Sequence, residues 1–222
     1  MDIYMEFDLQ KNIPKAVFPE GYVFKPIPRE HGYLWENVMD KAYGNENIVG
    51  DAYGNYTAGD FEYVMVDNYS YLPERVYVLF DEKGQPCATA SAWSQPWIWG
   101  DDYGYVIFIG VIPSHRNRGL SKQMLFGICE IMKNRGHKSA LLDVNSENLS
   151  AIKSYINAGF LPRLTSDPSL TPDKQVEIWS DVFTKLKIEP LEYSYEILMR
   201  ADNPHPPRPF LLDLRESGHD VN

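Results

Sequence analysis

Val111-Ile112-Pro113-Ser114-His115-Arg116-Asn117-Arg118-Gly119-Leu120-Ser121 is the stretch whose reading decides this fold. Just before it, YGYVIFIGV (103–111) is apolar on both faces at its centre, the pattern of a buried central strand. Just after it, Leu120, Met124, Ile128 and Ile131 recur at helical spacing, which predicts a long helix from Gly119 to about Arg135. The stretch is therefore a turn from a buried strand into a helix. The first N–H groups of a helix lack intrahelical partners, and the helix dipole is positive there. Gly119 allows an anion close to the backbone, Ser121 is small and adds a hydroxyl, and Arg116, Arg118 and Lys122 add positive charge. Together these features suit a pyrophosphate. The loop is not a P-loop, because no GK[ST] follows, and G-x-G-x-x-G is absent. Taken alone, it could equally be an ordinary strand–helix turn with basic caps.

The next segments remove that ambiguity. KSALLDV (138–144) reads as a buried strand, and Leu149 to Asn157 as a helix with Leu149, Ile152 and Ile156 on one face. Spanning that helix is Asn148-x-x-Ala151-x-x-x-Tyr155-x-x-x-Gly159-Phe160. The two segments, in this order, resemble the GNAT (GCN5-related N-acetyltransferase) superfamily. Its pattern is V-x-P-x-x-[RQ]-x-x-G-x-[GA], then a helix, a strand and N-x-x-A-x-x-x-Y-x-x-x-G-F. Val111, Pro113, Arg116 and Gly119 match the first part, and Asn148, Ala151, Tyr155, Gly159 and Phe160 match the second. Ser121 departs from the usual Gly or Ala but stays small. The resemblance is specific over about 103–162, topological over 21–100, and leaves 165–222 unexplained.

The resemblance implies acetyl-CoA as co-substrate, an amine as acceptor and no metal. It implies that the strand ending at Val111 splays from the strand at 138–144 and exposes backbone groups to the pantetheine arm. Arg116, Asn117, Arg118, Gly119, Leu120 and Ser121 would then hold the pyrophosphate. Asn148 would help to position the cofactor, and Tyr155 would protonate the departing thiolate, a role open to a phenol. Asp143 stands where some peptide-N-terminus acetyltransferases of the family carry a Glu base. Asp101, Asp102 or a water chain lined by Tyr103 or Tyr105 are alternatives. The acceptor is read as a small-molecule amine, with peptide or protein amines, or acyl-CoA binding without turnover, as the competing readings.

Outward from this core, GYVFKPI (21–27) reads as a first strand and Arg29 to Tyr43 as a helix. GNENIVGDAYGNYTAGD (44–60) is a polar, acidic loop, and FEYVMVDN a short helix. RVYVLFDE (75–82) and CATASAWS are joined by the Lys83-Gly84 turn as a hairpin. PDKQVEIWSDVFTKL (172–186) is a further helix, and LEYSYEILM alternates Leu191, Tyr193, Tyr195, Ile197 and Met199 like a half-buried strand. The fold class is α/β, with a mixed, mostly antiparallel central sheet flanked by helices and an extra helix near the C-terminus. One domain is expected over 1–200, followed by a Pro-rich tail over 201–222, docked or irregular.

Composition agrees with that class. The chain has 222 residues, is 44% hydrophobic and carries a formal net charge of −10. That charge argues against nucleic acid and anionic membranes as partners and favours cationic ones such as amines. Asp51, Tyr53, Tyr56, Asp60 and Glu62, with Trp93, Trp97 and Trp99, are the candidate acceptor wall. Cys87 and Cys129 form no CxxC pair and the five histidines are scattered, so neither a disulfide framework nor a zinc site is read. The acidic start MDIYMEFDLQK is no signal peptide and no run reaches a membrane span, so the cytoplasm is the expected compartment. A homodimer remains an open assembly.

Overall fold

The computed structural model describes residues 1–43, 59–67, 71–166, 170–193 and 197–199. Its centre is a seven-stranded sheet. In chain order the strands are β1 (Asp2–Asp8), β2 (Val23–Pro26), β3 (Val76–Phe80), β4 (Pro86–Ser94), β5 (Tyr103–Val111), β6 (Ser139–Asn145) and β7 (Leu161–Arg163). Across the sheet they run β2-β3-β4-β5-β6-β1-β7. Every neighbouring pair is antiparallel except β5 and β6. The helices are α1 (Gly32–Tyr43), a short α2 (Pro96–Trp99), α3 (Leu120–Asn134), α4 (Leu149–Asn157) and α5 (Pro172–Leu186). A single π-helical turn occupies Glu62–Val66.

Two apolar layers sandwich the sheet. On one face, α3, α4 and α5 bring Met124, Ile128, Ile152, Trp179 and Phe183 against Met5, Ala90, Val106 and Leu142. On the other, Trp35 and Met39 of α1, with Phe61 and Met65, cover Val78, Trp93, Ile107 and Leu141. The alternation along β5 and β6 thus feeds both layers, as their continuous apolar character requires.

The edges of the sheet differ from the sequence expectation. The segment 21–27 is not the first strand: Val23–Pro26 is an edge strand, and β1 precedes it. β1 lies in the sheet interior, paired from Asp2↔Asn145 to Asp8↔Ser139 on one side and Tyr4↔Arg163 to Glu6↔Leu161 on the other. Ile3, Met5 and Phe7 point to the α3 face and are buried. Their period-two alternation was present in the sequence, with Tyr4 and Glu6 between them on the other face, but the acidic Asp2, Glu6 and Asp8 mask it. Conversely, no strand forms over Leu191–Tyr193. In its place Leu198 makes one parallel bridge to Thr165 and is buried, while Ile197 and Met199 are exposed, the opposite phase to that expected. Tyr195 and the 201–222 tail lie outside the described residues.

The helix at 172–186 is integral to the core. Thr171 caps α5 by accepting the N–H of Lys174, with Pro172 at the first helical position. Gln175, buried, accepts the Thr165 N–H at 3.0 Å and donates to the carbonyls of Thr165 and Leu170 at 2.7 and 3.0 Å. A leucine there would leave all three backbone groups buried and unpaired. Gln175→Leu is expected to destabilise the fold by about 2–4 kcal/mol, lowering Tm by roughly 5–15 °C. A thermal melt within 2 °C of wild type, taking that as roughly the shift from half a kcal/mol, would remove the amide from this role.

Cys87 and Cys129 are free and buried, and burial pushes both thiols up to about 12. Neither is expected to react with a thiol-alkylating reagent at about pH 8, because the thiolate is the nucleophile. Rapid labelling of the native protein, read by mass spectrometry, would contradict that burial.

Candidate functional site

β5 and β6 pair only over Tyr103–Tyr105 and Ser139–Leu141. Beyond Tyr105 and Leu141 the two strands no longer pair with each other, so the parallel pair opens into a gap. β5 carries a bulge on its other edge. Thr89 and Ser91 face Gly110 and Ile107, which leaves one extra residue in β5, and Phe108 takes φ 54° there. The bulge turns the last residues of β5 as they enter the gap.

A cavity of about 530 Å³ occupies the mouth of this gap. Ile109 and Val111 line it from β5, residues 115–117 and 119–122 from the loop and the start of α3, and Asn148, Ala151 and Tyr155 from α4. Asn117 (φ 61°) and Gly119 (φ 72°) are both left-handed, and they turn the chain sharply into α3. A Cβ on Gly119 would meet nothing within 4 Å, so glycine is there for its backbone and the space in front of it is open. The first intrahelical bond of α3 runs from the Gln123 N–H to the Gly119 carbonyl. The N–H groups of Leu120, Ser121 and Lys122 before it have no intrahelical partner, and these residues line the cavity, which suits an anion.

The named side chains divide into two groups. Val111, Arg116, Asn117, Gly119, Leu120, Ser121, Asn148 and Tyr155 all line the cavity; Arg118 and Asp143 do not. Arg118 donates to the Tyr22 hydroxyl at 3.0 Å and to the Ser114 carbonyl at 3.1 Å. The Asn148 oxygen caps α4 by accepting the Ala151 N–H at 3.1 Å. Tyr155 packs beside Phe160, ring centroids 6.4 Å apart. His115, unassigned in the sequence, also lines the cavity and lies 3.5 Å from Asp81, whose carboxylate accepts the N–H groups of Gln85 and Lys83. These backbone bonds, the Gln85 bond foremost, with His115 and Lys83 adding to them, hold the Asp81 carboxyl below its ordinary range.

Sequence reasoning also missed Ser150, Lys153, Ser154 and Asn157, which give α4 a polar stripe along the cavity. Their helical spacing, complementary to the apolar stripe of Leu149, Ile152 and Ile156, was the available signal. With Arg118 engaged elsewhere, Lys122 and Lys153 supply positive charge beside the open N–H groups.

Asp143 lies on the other face of β6, among aromatic rings. The Tyr105 hydroxyl donates to it at 2.5 Å. Trp99 is parallel to Tyr105 at 6.3 Å, and Tyr4, directly opposite Asp143 in the β1–β6 ladder, meets Trp99 edge-on at 5.3 Å. Of the expected acceptor wall, Trp93 is fully buried core, Trp99 is buried in this cluster and Trp97 is half-buried. Glu62 forms an exposed fork with Arg29. Asp51, Tyr53 and Tyr56 lie outside the described residues.

The architecture is a mixed α/β sheet opened between its parallel pair, with the start of a helix at the mouth of the opening. The acetyltransferase (GNAT) family model matches residues 35–160, more than half of the chain, and the chain belongs to that family. The GCN5-related N-acetyltransferase from Sphaerobacter thermophilus has the same fold, with TM-score 0.57 at 17% identity over 73% of this chain and 48% of that one. A GCN5-related glucosamine N-acetyltransferase region of a fungal multi-domain GH3 beta-N-acetylglucosaminidase gives 0.54 at 13%, over 72% and 19%. This chain thus spans about half and about a fifth of those two chains. At such identities the likeness is one of fold. No curated protein sequence matches the chain.

Proposed function

We propose that the chain transfers the acetyl group of acetyl-CoA to the amine of a cationic small molecule. The observation that carries this reading is the placement of two proton-carrying groups on opposite sides of the β5–β6 gap. Tyr155 lines the cavity beside α3 and α4, and Asp143 sits on the α1 face of β6. The residues fit the co-substrate: the open N–H groups at Leu120 and Ser121, with Lys122 and Lys153, suit its pyrophosphate, and the facing edges of β5 and β6 beyond their last shared pair suit its amide-bearing arm.

Acetyl-CoA supplies an activated acyl group as a thioester. Asp143, oriented by Tyr105, accepts a proton from the acceptor ammonium. The neutral amine then forms the C–N bond as the C–S bond breaks. Tyr155 gives its proton to the departing sulfur and is reprotonated, through solvent, by the second proton that the nitrogen loses on becoming an amide. Tyr4, Tyr105 and Trp99 around a carboxylate favour a cation by charge and by ring quadrupole, and the net charge of −10 acts in the same sense.

The test is thiol release from acetyl-CoA against polyamines, arylalkylamines, amino sugars and N-terminal peptides. Turnover is expected with cationic small amines. A clear preference for peptides, or no amine-dependent turnover, would overturn the acceptor assignment.

A further inference from the structure

The Arg116 side chain does not reach outward to an anion. Its Nε donates to the Val111 carbonyl at 3.1 Å and its Nη2 to the Ala42 carbonyl at 2.8 Å. Val111 ends β5, and Ala42 lies in the last turn of α1, where carbonyls lack intrahelical partners and a cation is favoured. Two further contacts join the same elements. The Tyr43 hydroxyl donates to the Ile109 carbonyl. Gly110, between these anchored residues, is a close-approach point: a Cβ there would lie 3.2 Å from Ala42 and Tyr43. The end of α1 is thereby fastened to Ile109–Val111, and Ala42, Tyr43, Ile109 and Val111 line the cavity.

Helix α1 also holds the chain where it returns after residue 58. The Glu36 carboxylate accepts the N–H groups of Gly59 and Phe61 at 3.0 and 2.9 Å. Arg116 itself stands in the loop whose next residues turn into α3. One guanidinium therefore links the anion-accepting loop to the helix that anchors the α1 face.

We propose that Arg116 is a positioning residue, not a phosphate ligand, and that it transmits CoA binding at the loop to α1. This rests on reading residues 116–121 as the CoA site. Lysine keeps the charge but cannot span both carbonyls, whereas the planar guanidinium can.

The experiment is hydrogen–deuterium exchange of the full chain with and without CoA, alongside CoA affinity by calorimetry. In wild type, CoA is expected to slow exchange both in peptides covering 113–122 and in peptides covering 34–43. In Arg116→Lys the CoA Kd is expected to stay within about threefold of wild type, because the backbone donors remain, while the slowing in α1 is lost. Tyr43→Phe removes one hydroxyl from the same junction and is expected to weaken the α1 response in the same way. If Arg116→Ala weakens CoA about tenfold and Arg116→Lys restores it, the side chain is a phosphate ligand and the proposal fails. It fails also if α1 responds as fully in Arg116→Lys as in wild type. Should the Arg116 variants not fold, an undiminished α1 response in Tyr43→Phe overturns it. CoA binding to wild type without any α1 response overturns this proposal alone, and no CoA binding at all overturns the functional reading with it.

Discussion

Phenylalanine in place of Tyr155 is expected to lower kcat by roughly 10²-fold, within the usual range for losing a general acid. Tyr155 is half-buried, lines the cavity and packs beside Phe160, and the substitution keeps the ring while deleting the hydroxyl. The lost proton donation belongs to the transition state, so the KM for acetyl-CoA should barely move. Steady-state kinetics and a thermal melt on this one variant separate the roles. Near-normal turnover at saturating substrates would leave Tyr155 a packing residue.

The second large effect is expected at Gly119. Glutamate there forces a side-chain-bearing residue into φ 72° and projects a carboxylate into open space at the mouth of the cavity. It also places negative charge at the positive end of α3, where the pyrophosphate would lie. CoA affinity should fall by about 10²-fold or more in calorimetry, since both the charge and the open approach are lost. The circular dichroism spectrum should be unchanged, because no neighbour lies within 4 Å to be displaced. Unaltered affinity would place the nucleotide elsewhere.

Sequence and structure agree best where chemistry and local periodicity coincide. α3, α4 and α5 lie within a residue of their expected bounds, because each carries an apolar stripe with a recognisable cap: Gly119, Asn148 and Thr171. The strands β5 and β6 were legible as continuous apolar runs. Alternation misled at 191–199, since it says which residues would share a face but not whether a sheet edge is available. Here β1 fills the interior place beside β6, and among the described residues of 191–199 only Leu198 finds a bridge. The charges of the loop were visible, but not their destinations. Arg116 turns to Ala42, distant in sequence, and Arg118 to Tyr22. The Tyr105–Asp143 bond depends in the same way on the parallel pairing of β5 with β6.

The place of β1 also sets a timetable for the growing polypeptide. Its partners on β6 and β7 lie more than 130 residues further along the chain. The meander β2–β3–β4–β5 can zip up from neighbouring segments as they emerge, but Ile3, Met5 and Phe7 must wait uncovered until β6 has been made. Such distant closure is slow, and an exposed apolar strand is prone to pair with the wrong partner in the interval. On the ribosome, a segment made before either of its neighbours becomes one of the last to settle, and a holding chaperone would find its target there.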